Sequence, residues 1–125
     1  MDGDEVMSEI AVKRVYDPPE ASDGTRILVD RLWPRGLTKE RAAIDLWLKE
    51  IAPSTELRQW YGHDPALWEQ FQTAYDKELD ANGPAVEHLQ QATAKGRATL
   101  LYSSHEAKLN NAVALVLYLQ KLRRG

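Results

Sequence analysis

Cysteine is absent from this chain of 125 residues. Without cysteine there can be no thiol nucleophile, no disulfide bond and no cysteine-ligated zinc site. The absence is compatible with a reducing compartment. The first eight residues are acidic and lack the apolar core that a signal peptide carries. We therefore expect a cytoplasmic protein.

An excess of positive charge is absent as well, because 16 Lys and Arg residues face 19 Asp and Glu residues. The formal net charge is −3 and the isoelectric point is about 5.6. Domains that bind nucleic acid usually carry a strong basic excess, so no nucleic-acid partner is expected. The most apolar stretch, residues 112–119, is far shorter than a membrane-spanning segment, so no membrane partner is expected. Whether a protein partner exists stays open.

Several motifs that would indicate a particular chemistry are also absent. The chain has no glycine-rich phosphate loop and no serine elbow. His63, His88 and His105 are not clustered at the spacing of metal ligands. We therefore expect no metal and no cofactor.

The composition itself is typical of a globular protein, with 43% hydrophobic and 28% charged residues. A chain of this length can form one hydrophobic core without disulfides or metal. We predict a flexible acidic tail at residues 1–8, followed by a single domain at residues 9–125.

Two short apolar segments predict the centre of the fold. Residues 25–32 contain the run Ile-Leu-Val and read as a strand buried on both faces. Pro34 and Gly36 then end it in a turn. Residues 98–102 form a second apolar strand, and both segments end in polar clusters, so we expect them to be adjacent and central. The predicted fold class is α/β: a small, largely parallel sheet flanked by helices in a single compact domain.

Two further strands are less clearly specified. Residues 10–16 favour a first strand, which Pro18 and Pro19 follow. The connection to the next strand has about eight residues, whereas a parallel crossover needs a dozen or more. Length alone thus favours an antiparallel first strand, although its direction stays open. Residues 45–51 show both strand and helix periodicity, and we favour a strand.

Capping residues predict where the helices begin. Ser103 and Glu106 have the spacing of a capping box, which predicts a last helix from there to about residue 123. The other predicted starts are Thr38 for a short helical turn, Ser54 or Thr55 for a short helix, Asp64 with Pro65 for a long amphipathic helix, and Pro84 for the next one.

The predicted site lies where the two central strands end, because open α/β sheets bind ligands at the carboxyl ends of their strands. Arginine offers a planar fork that suits carboxylate and phosphate, so Arg31 and Arg35 are candidates for anion binding. Asp30 or His105 would transfer protons. The remaining candidate substrate-binding residues are Trp33, Tyr102 and Ser103.

Each of these residues also has a purely structural interpretation. Asp30 and Arg31 could form a structural ion pair, and Trp33 could be a packing anchor. Ser103 could serve only as a helix cap, and His105 could be an ordinary surface group. The residues alone do not decide between these alternatives.

Two functions from different classes are compatible with this pattern, and of these we favour the first. The first is an enzyme acting on a small phosphorylated or carboxylated substrate. The second is a non-catalytic module that binds a small ligand or docks a partner through aromatic residues such as Trp33 and Trp60. A cavity joining Asp30, both arginines and His105 would favour the first, and a flat apolar patch would favour the second.

Several longer strings of residues resemble those of a known family. They are KRVYDP at residues 13–18, SDG at 22–24, RILVDRLWPRG at 26–36, APSTELR at 52–58 and TLLYS at 99–103. From about residue 12 to residue 122 the chain resembles the YeaO-like family of uncharacterised bacterial proteins, in the DUF488 group. The resemblance implies a compact α/β domain and supplies no function. It also implies that more distant relatives carry a cysteine after the last strand. This chain has Tyr102 and Ser103 there, so a thiol mechanism cannot apply.

Overall fold

A computed structural model of the chain describes residues 10–124. The acidic tail predicted at residues 1–8 lies outside that range. Within these described residues, four parallel strands form one sheet in the order β1-β4-β2-β3. The strands are β1 (Ile10–Arg14), β2 (Thr25–Leu28), β3 (Leu46–Trp47) and β4 (Ala98–Tyr102). The prediction that β2 and β4 are adjacent and central is confirmed, as is the α/β class.

In the described part of the chain, five α-helices accompany the sheet: α1 (Lys39–Ala42), α2 (Thr55–Tyr61), α3 (Trp68–Asp80), α4 (Gly83–Thr93) and α5 (Asn111–Arg124). Short 3-10 turns lie at Ala21–Asp23, Lys49–Ile51 and Pro65–Leu67. No helix within residues 10–124 combines the length and the apolar character needed to cross a membrane.

The two faces of the sheet are covered unequally. Successive strand residues point to opposite faces, so Ile27 and Leu100 pack into one core and Leu28 and Leu101 into another. The first core is large and includes buried residues of α2, α3, α4 and α5. The second core is small, and Ala42 of α1 is its only helical member among the residues that the structure describes. The sheet therefore has a helical face and a face covered by α1 and loops.

The antiparallel orientation that the short connection favours for β1 is wrong. β1 pairs in parallel with β4, which separates it from β2. An extended chain of about ten residues reaches roughly 33 Å. That is enough to return along a strand of roughly 17 Å and to cross one neighbouring strand. The connection therefore needs only the 3-10 turn at Ala21–Asp23 and no crossover helix.

The predicted strand at residues 45–51 is also largely wrong, since β3 contains only Leu46 and Trp47. β3 pairs with the last two residues of β2, and the Leu48 amide still donates to the Leu28 carbonyl oxygen over 2.9 Å. β2 itself ends at Leu28 rather than at residue 32, so β3 has no further partner. The chain then turns into the 3-10 segment at Lys49–Ile51.

Three of the predicted helix starts are confirmed by their caps. The Thr38 hydroxyl accepts the Arg41 amide over 3.2 Å, and the Ser54 hydroxyl accepts the Leu57 amide over 3.1 Å. Asp64 accepts the Ala66 amide at the 3-10 turn that leads into α3. These caps are local interactions, which explains why residue type and spacing predict them.

The predicted start of the last helix at Ser103 is wrong, because α5 begins at Asn111. The Glu106 carboxylate accepts the amides of Lys108 and Leu109 instead of completing a capping box with Ser103. The helix is capped by the buried side chain of Asn110, whose Oδ1 accepts the Val113 amide over 3.0 Å. Residues 103–110 therefore form a loop between β4 and α5.

Candidate functional site

Asp30 connects the segments that meet beyond the carboxyl ends of β2 and β4. Its Oδ2 accepts the Ser103 amide over 2.9 Å and the Ser103 hydroxyl over 2.8 Å. Its Oδ1 accepts the side-chain amide of Asn111 over 3.0 Å, and its carbonyl oxygen accepts the Trp47 indole N–H over 2.8 Å. Both carboxylate oxygens are therefore engaged by donors of the fold. Asp30 joins the end of β2 to the loop after β4 and to the first turn of α5.

A cleft of about 360 Å³ opens beside Asp30. Four other residues predicted for the site line it together with Asp30: Trp33, Arg35, Ser103 and His105. The structure thus brings together residues that are up to 75 positions apart in the sequence, as expected for side chains at one edge of a parallel sheet.

Two arginines that the sequence analysis did not select also line this cleft, Arg14 at the end of β1 and Arg58 in α2. Arg14 was missed because an antiparallel β1 would place it at the opposite end of the sheet. A parallel β1 brings its carboxyl end to the same edge as β2 and β4. The sequence contains one indication that Arg58 is exposed. Leu57 and Tyr61 mark the buried face of α2, which leaves Arg58 on the exposed side.

Arg14 and Tyr16 form one wall of the cleft and are held in place by several contacts. Arg14 Nε donates to the Ser104 carbonyl oxygen over 2.9 Å. Its guanidinium lies 4.5 Å from the centre of the Tyr16 ring, a cation–π contact. The Tyr16 hydroxyl donates to the Arg35 carbonyl oxygen over 2.8 Å. These contacts connect the end of β1 to both loops that border the cleft.

The charge around the cleft is predominantly positive. Arg14, Arg35 and Arg58 line it, and Asp30 is the only carboxylate among its lining residues in the described part of the chain. Within residues 10–124 no carboxylate forms an ion pair with Arg35 or Arg58. Two guanidinium groups are therefore available to an anion from solution.

Two of the predicted site residues do not line the cleft. Arg31 Nη2 donates to the carbonyl oxygens of Ala52 and Pro53 over 3.2 and 3.4 Å, which ties it to the segment before α2. Tyr102 is only 4% exposed and belongs to the large core. Burial, together with the charges of Asp17 and Glu106, raises the pKa of Tyr102 despite the opposing charge of Arg14.

The aromatic residues considered for partner docking differ in their surroundings. The Trp33 indole N–H donates to the Leu37 carbonyl oxygen over 2.7 Å, and its ring packs edge to face against Trp47 at 5.5 Å. Trp60 in α2 is 49% exposed. Trp33 therefore contributes to packing while it borders the cleft, and Trp60 is open to solvent.

A second compartment of about 230 Å³ adjoins the cleft and shares Asp30, Arg58 and Ser103 with it. The largely buried rings of Tyr61 and Phe71 contribute to its lining and stack on each other with their centres 4.3 Å apart. The other residues that line it are polar: Gln59, His63, Ser104 and Asn111. The two compartments therefore meet at Asp30, and the second is lined mainly by polar side chains.

The loop after β4 is held by hydrogen bonds at both ends, to Asp30 at Ser103 and to Tyr61 at Leu109. The Tyr61 hydroxyl donates to the Leu109 carbonyl oxygen over 2.7 Å, and burial together with Glu106 and Asp64 raises the pKa of that hydroxyl. The amides of Lys108 and Leu109 hold the pKa of Glu106 below its ordinary value.

Among the residues that the structure describes, no group of three His, Asp or Glu side chains could hold a metal ion.

Comparison with known proteins confirms the resemblance described above. Residues 9–124 match a protein family described as the inactive DUF488-N3 subclade. The chain belongs to this DUF488 family. It is 45% identical over 113 residues to the uncharacterized protein YeaO of Escherichia coli, an alignment that covers 90% of this chain and 98% of that protein. It is 34% identical over 108 residues to the uncharacterized protein Rv3073c of Mycobacterium tuberculosis, covering 86% and 91% of the two chains. No solved structure gives a significant match to this DUF488 chain.

The role of Asp30 in holding the site together can be tested by substitution. Asp30→Ala removes the acceptor of three hydrogen bonds, which leaves the Ser103 amide and hydroxyl without that acceptor and Asn111 with only its bond to the Val29 carbonyl oxygen. Because an unsatisfied, partly buried donor costs about 1–3 kcal/mol, we expect a loss of that size in the free energy of unfolding. Urea denaturation measures this loss, and hydrogen exchange should show faster exchange of the Ser103 amide. An unchanged Ser103 exchange rate would contradict the role described for Asp30.

Proposed function

We propose that the cleft binds a small phosphorylated or carboxylated anion, and that this DUF488 protein is a ligand-binding module rather than an enzyme. The supporting observation is the set of three arginines around a cleft whose one lining carboxylate, within the described chain, already accepts hydrogen bonds from Ser103 and Asn111. Guanidinium groups bind carboxylate and phosphate through paired, charge-assisted hydrogen bonds. Arg35 and Arg58 have no carboxylate partner within residues 10–124, so an incoming anion need not displace one.

The surroundings of Asp30 support binding without catalysis. A general base must accept a proton from the substrate, and it must lie within hydrogen-bond reach of that proton. Both oxygens of Asp30 already accept hydrogen bonds from Ser103 and Asn111, which favours a structural role for the carboxylate. The family description as an inactive subclade agrees with this interpretation.

An enzymatic function keeps one observation in its favour, the position of His105. This exposed side chain lines the same cleft as Asp30 and Arg35, where an imidazole could act as a general acid or base. The two proposals differ in what His105→Ala would do. If the protein is a binding module, the wild type and His105→Ala should bind the anion with similar affinity, and neither should convert it to a product. If the protein is an enzyme, His105→Ala should lose the turnover that the wild type shows.

The binding proposal is tested by the melting temperature in the presence of inorganic phosphate or sulfate. A ligand that binds only the folded state stabilises it by about 2.7 kcal/mol when its concentration is a hundred times Kd. We therefore expect phosphate to raise the melting temperature of the wild-type protein. Arg35→Ala should abolish most of this rise, because it removes a guanidinium group from the cleft. Its melting temperature without ligand should stay nearly unchanged, since Arg35 is exposed.

Arg41→Ala is the matched control. Arg41 is also exposed, lies in α1 and is not among the residues that line the cleft. This variant should keep the full response to phosphate. If Arg35→Ala unfolds the protein and anions do not stabilise the wild type, Arg35 is a structural residue and the binding proposal is wrong.

A further inference from the structure

Exposed apolar side chains lie in the lining of the basic cleft. The part of the chain that the structure describes has five exposed large hydrophobic residues: Tyr16, Leu32, Trp60, Leu117 and Leu122. Tyr16 and Leu32 both line the basic cleft, whereas the other three line neither compartment. Leu32 is 66% exposed, the largest fraction of the five. A single exposed leucine is ordinary, but two exposed apolar residues beside one cleft form a feature of that cleft.

These apolar residues are held next to an arginine of the cleft. Leu32 lies three residues before Arg35 in the loop after β2. Trp33, between them, is anchored by its indole N–H, which donates to the Leu37 carbonyl oxygen over 2.7 Å. Tyr16 is tied to the same loop, because its hydroxyl donates to the Arg35 carbonyl oxygen over 2.8 Å. A molecule whose anionic group binds Arg35 therefore has apolar side chains beside the atoms attached to that group.

A bare inorganic anion makes no use of this apolar surface. Phosphate and sulfate present only oxygen atoms, so neither gains from a leucine beside it. The cleft volume of about 360 Å³ falls in the range of about 300–1,000 Å³ that pockets for small organic ligands usually have. An apolar group attached to the anion would cover part of Leu32, and each fully buried CH₂ group raises affinity about four-fold.

We propose that the ligand of the cleft is an amphipathic small molecule, in which a phosphate or carboxylate group binds the arginines and an attached apolar group packs against Leu32. This inference rests on the proposed anion-binding function and specifies the ligand of the same site. Leu32 makes the main apolar contact, because the guanidinium of Arg14 already lies 4.5 Å from the centre of the Tyr16 ring. Alkyl and aryl phosphates and aliphatic acids have the required chemistry, whereas sugar phosphates lack the apolar group.

A phosphorylated segment of a partner protein would offer similar chemistry, and the extent of the apolar surface argues against it. Stable protein–protein interfaces cover about 800 Å² on each partner. Beside the cleft, Leu32 and Tyr16 are the only exposed large hydrophobic residues among residues 10–124. We therefore assign the site to a small molecule.

Isothermal titration calorimetry on the full chain can test this assignment with methyl phosphate, n-butyl phosphate and glycerol 3-phosphate. n-Butyl phosphate has three more CH₂ groups than methyl phosphate and should bind about five-fold or more tightly, even with the apolar group only partly covered. Glycerol 3-phosphate has a chain of similar length that carries hydroxyl groups, so it should show no such gain over methyl phosphate. Acetate and pentanoate repeat the comparison for a ligand with a carboxylate group.

Leu32→Ala should remove most of the advantage of n-butyl phosphate and leave the affinity for methyl phosphate unchanged. Leu122→Ala is the matched control, because Leu122 is also exposed, lies in α5 and lines neither compartment. It should keep the full difference between the two ligands. Arg35→Ala should weaken the binding of both ligands by a similar factor and keep their ratio, because it removes a contact to the phosphate group that they share.

The outcomes separate this inference from the proposed function. Equal affinities for methyl and n-butyl phosphate, with the same equality for acetate and pentanoate, would overturn the amphipathic ligand and leave anion binding intact. An advantage of n-butyl phosphate that survives Leu32→Ala would overturn the assigned contact. Tighter binding of a peptide with one phosphoserine between two leucines than of n-butyl phosphate would overturn the choice of a small molecule. No binding of any phosphate or carboxylate would overturn the proposed function itself.

Discussion

Asp23→Ala is expected to lower the free energy of unfolding by about 3–5 kcal/mol, the usual cost of removing one partner from a buried ion pair. Asp23 is 6% exposed and accepts hydrogen bonds from Lys13 Nζ over 3.1 Å and from Arg26 Nη1 over 2.6 Å. Its removal leaves the guanidinium of Arg26, itself 4% exposed, without a carboxylate partner among residues 10–124. Urea denaturation at neutral pH measures this loss.

Glu87→Ala is the matched control, since Glu87 is an exposed carboxylate on α4 and its loss should change stability by no more than about half a kcal/mol. A loss of less than about 1 kcal/mol for Asp23→Ala would mean that water or a neighbouring group compensates the charge of Arg26.

The same residue should make stability depend on pH in the acid range. Burial acts to raise the pKa of Asp23, but hydrogen bonds from the Glu20 amide, Lys13 and Arg26, together with the charge of Lys13, outweigh it and lower the pKa. A lowered folded-state pKa means that the carboxylate stabilises the protein fully above its unfolded pKa of about 3.9. This stabilisation is lost as the pH falls below that value and through the folded-state pKa.

The stability difference between wild type and Asp23→Ala should therefore shrink as the pH is lowered below about 4. Urea denaturation of both proteins at a series of pH values measures this difference. A difference that stays constant down to the acid limit would show that Asp23 acts through packing rather than through its charge.

The second large effect is expected from the core beneath α5. Leu115→Ala should cost about 2–5 kcal/mol, because it removes a fully buried side chain and leaves a cavity. Leu115 belongs to the core that joins the sheet to α2, α3, α4 and α5. Thermal or urea denaturation gives the difference directly.

Leu117→Ala provides the control on the same helix, since Leu117 is 36% exposed. The alanine there should cost far less than at Leu115, because much of the removed surface already faces water. Equal costs at the two positions would mean that the exposed face of α5 is covered by something other than solvent.

The fold class and the central strands could be predicted from the sequence because their signals are local. A short apolar run between turn residues predicts a buried strand wherever its neighbours are, and a Thr or Ser before a helical stripe predicts a cap. The caps at Thr38 and Ser54 were correct for that reason. The capping box at Ser103 failed because Asp30, 73 residues away in sequence, binds the Ser103 hydroxyl and amide.

The candidate site shows the same division between local and distant information. The two loops that meet at the sheet edge were identified, since each follows a recognisable strand. Arg31 and Arg35 could not be told apart by residue type, and only the fold sends Arg31 to Ala52 and Pro53 and leaves Arg35 at the cleft. The position of Arg14 at the cleft depends on the direction of β1, and the length of the loop after β1 does not determine that direction.

The position of β4 between β1 and β2 affects how the protein folds during its synthesis. Domains form during synthesis as their segments become available, from the amino terminus onward. β4 ends at Tyr102, so β1 and β2 have no common neighbour until most of the chain has been made. Pairing strands that are far apart in sequence slows folding, because the chain loses conformational entropy before the new contacts stabilise it. Ser103 and Asn111 arrive later still, and a ribosome-bound chain therefore passes most of its synthesis without the cleft and without any ligand that could stabilise it.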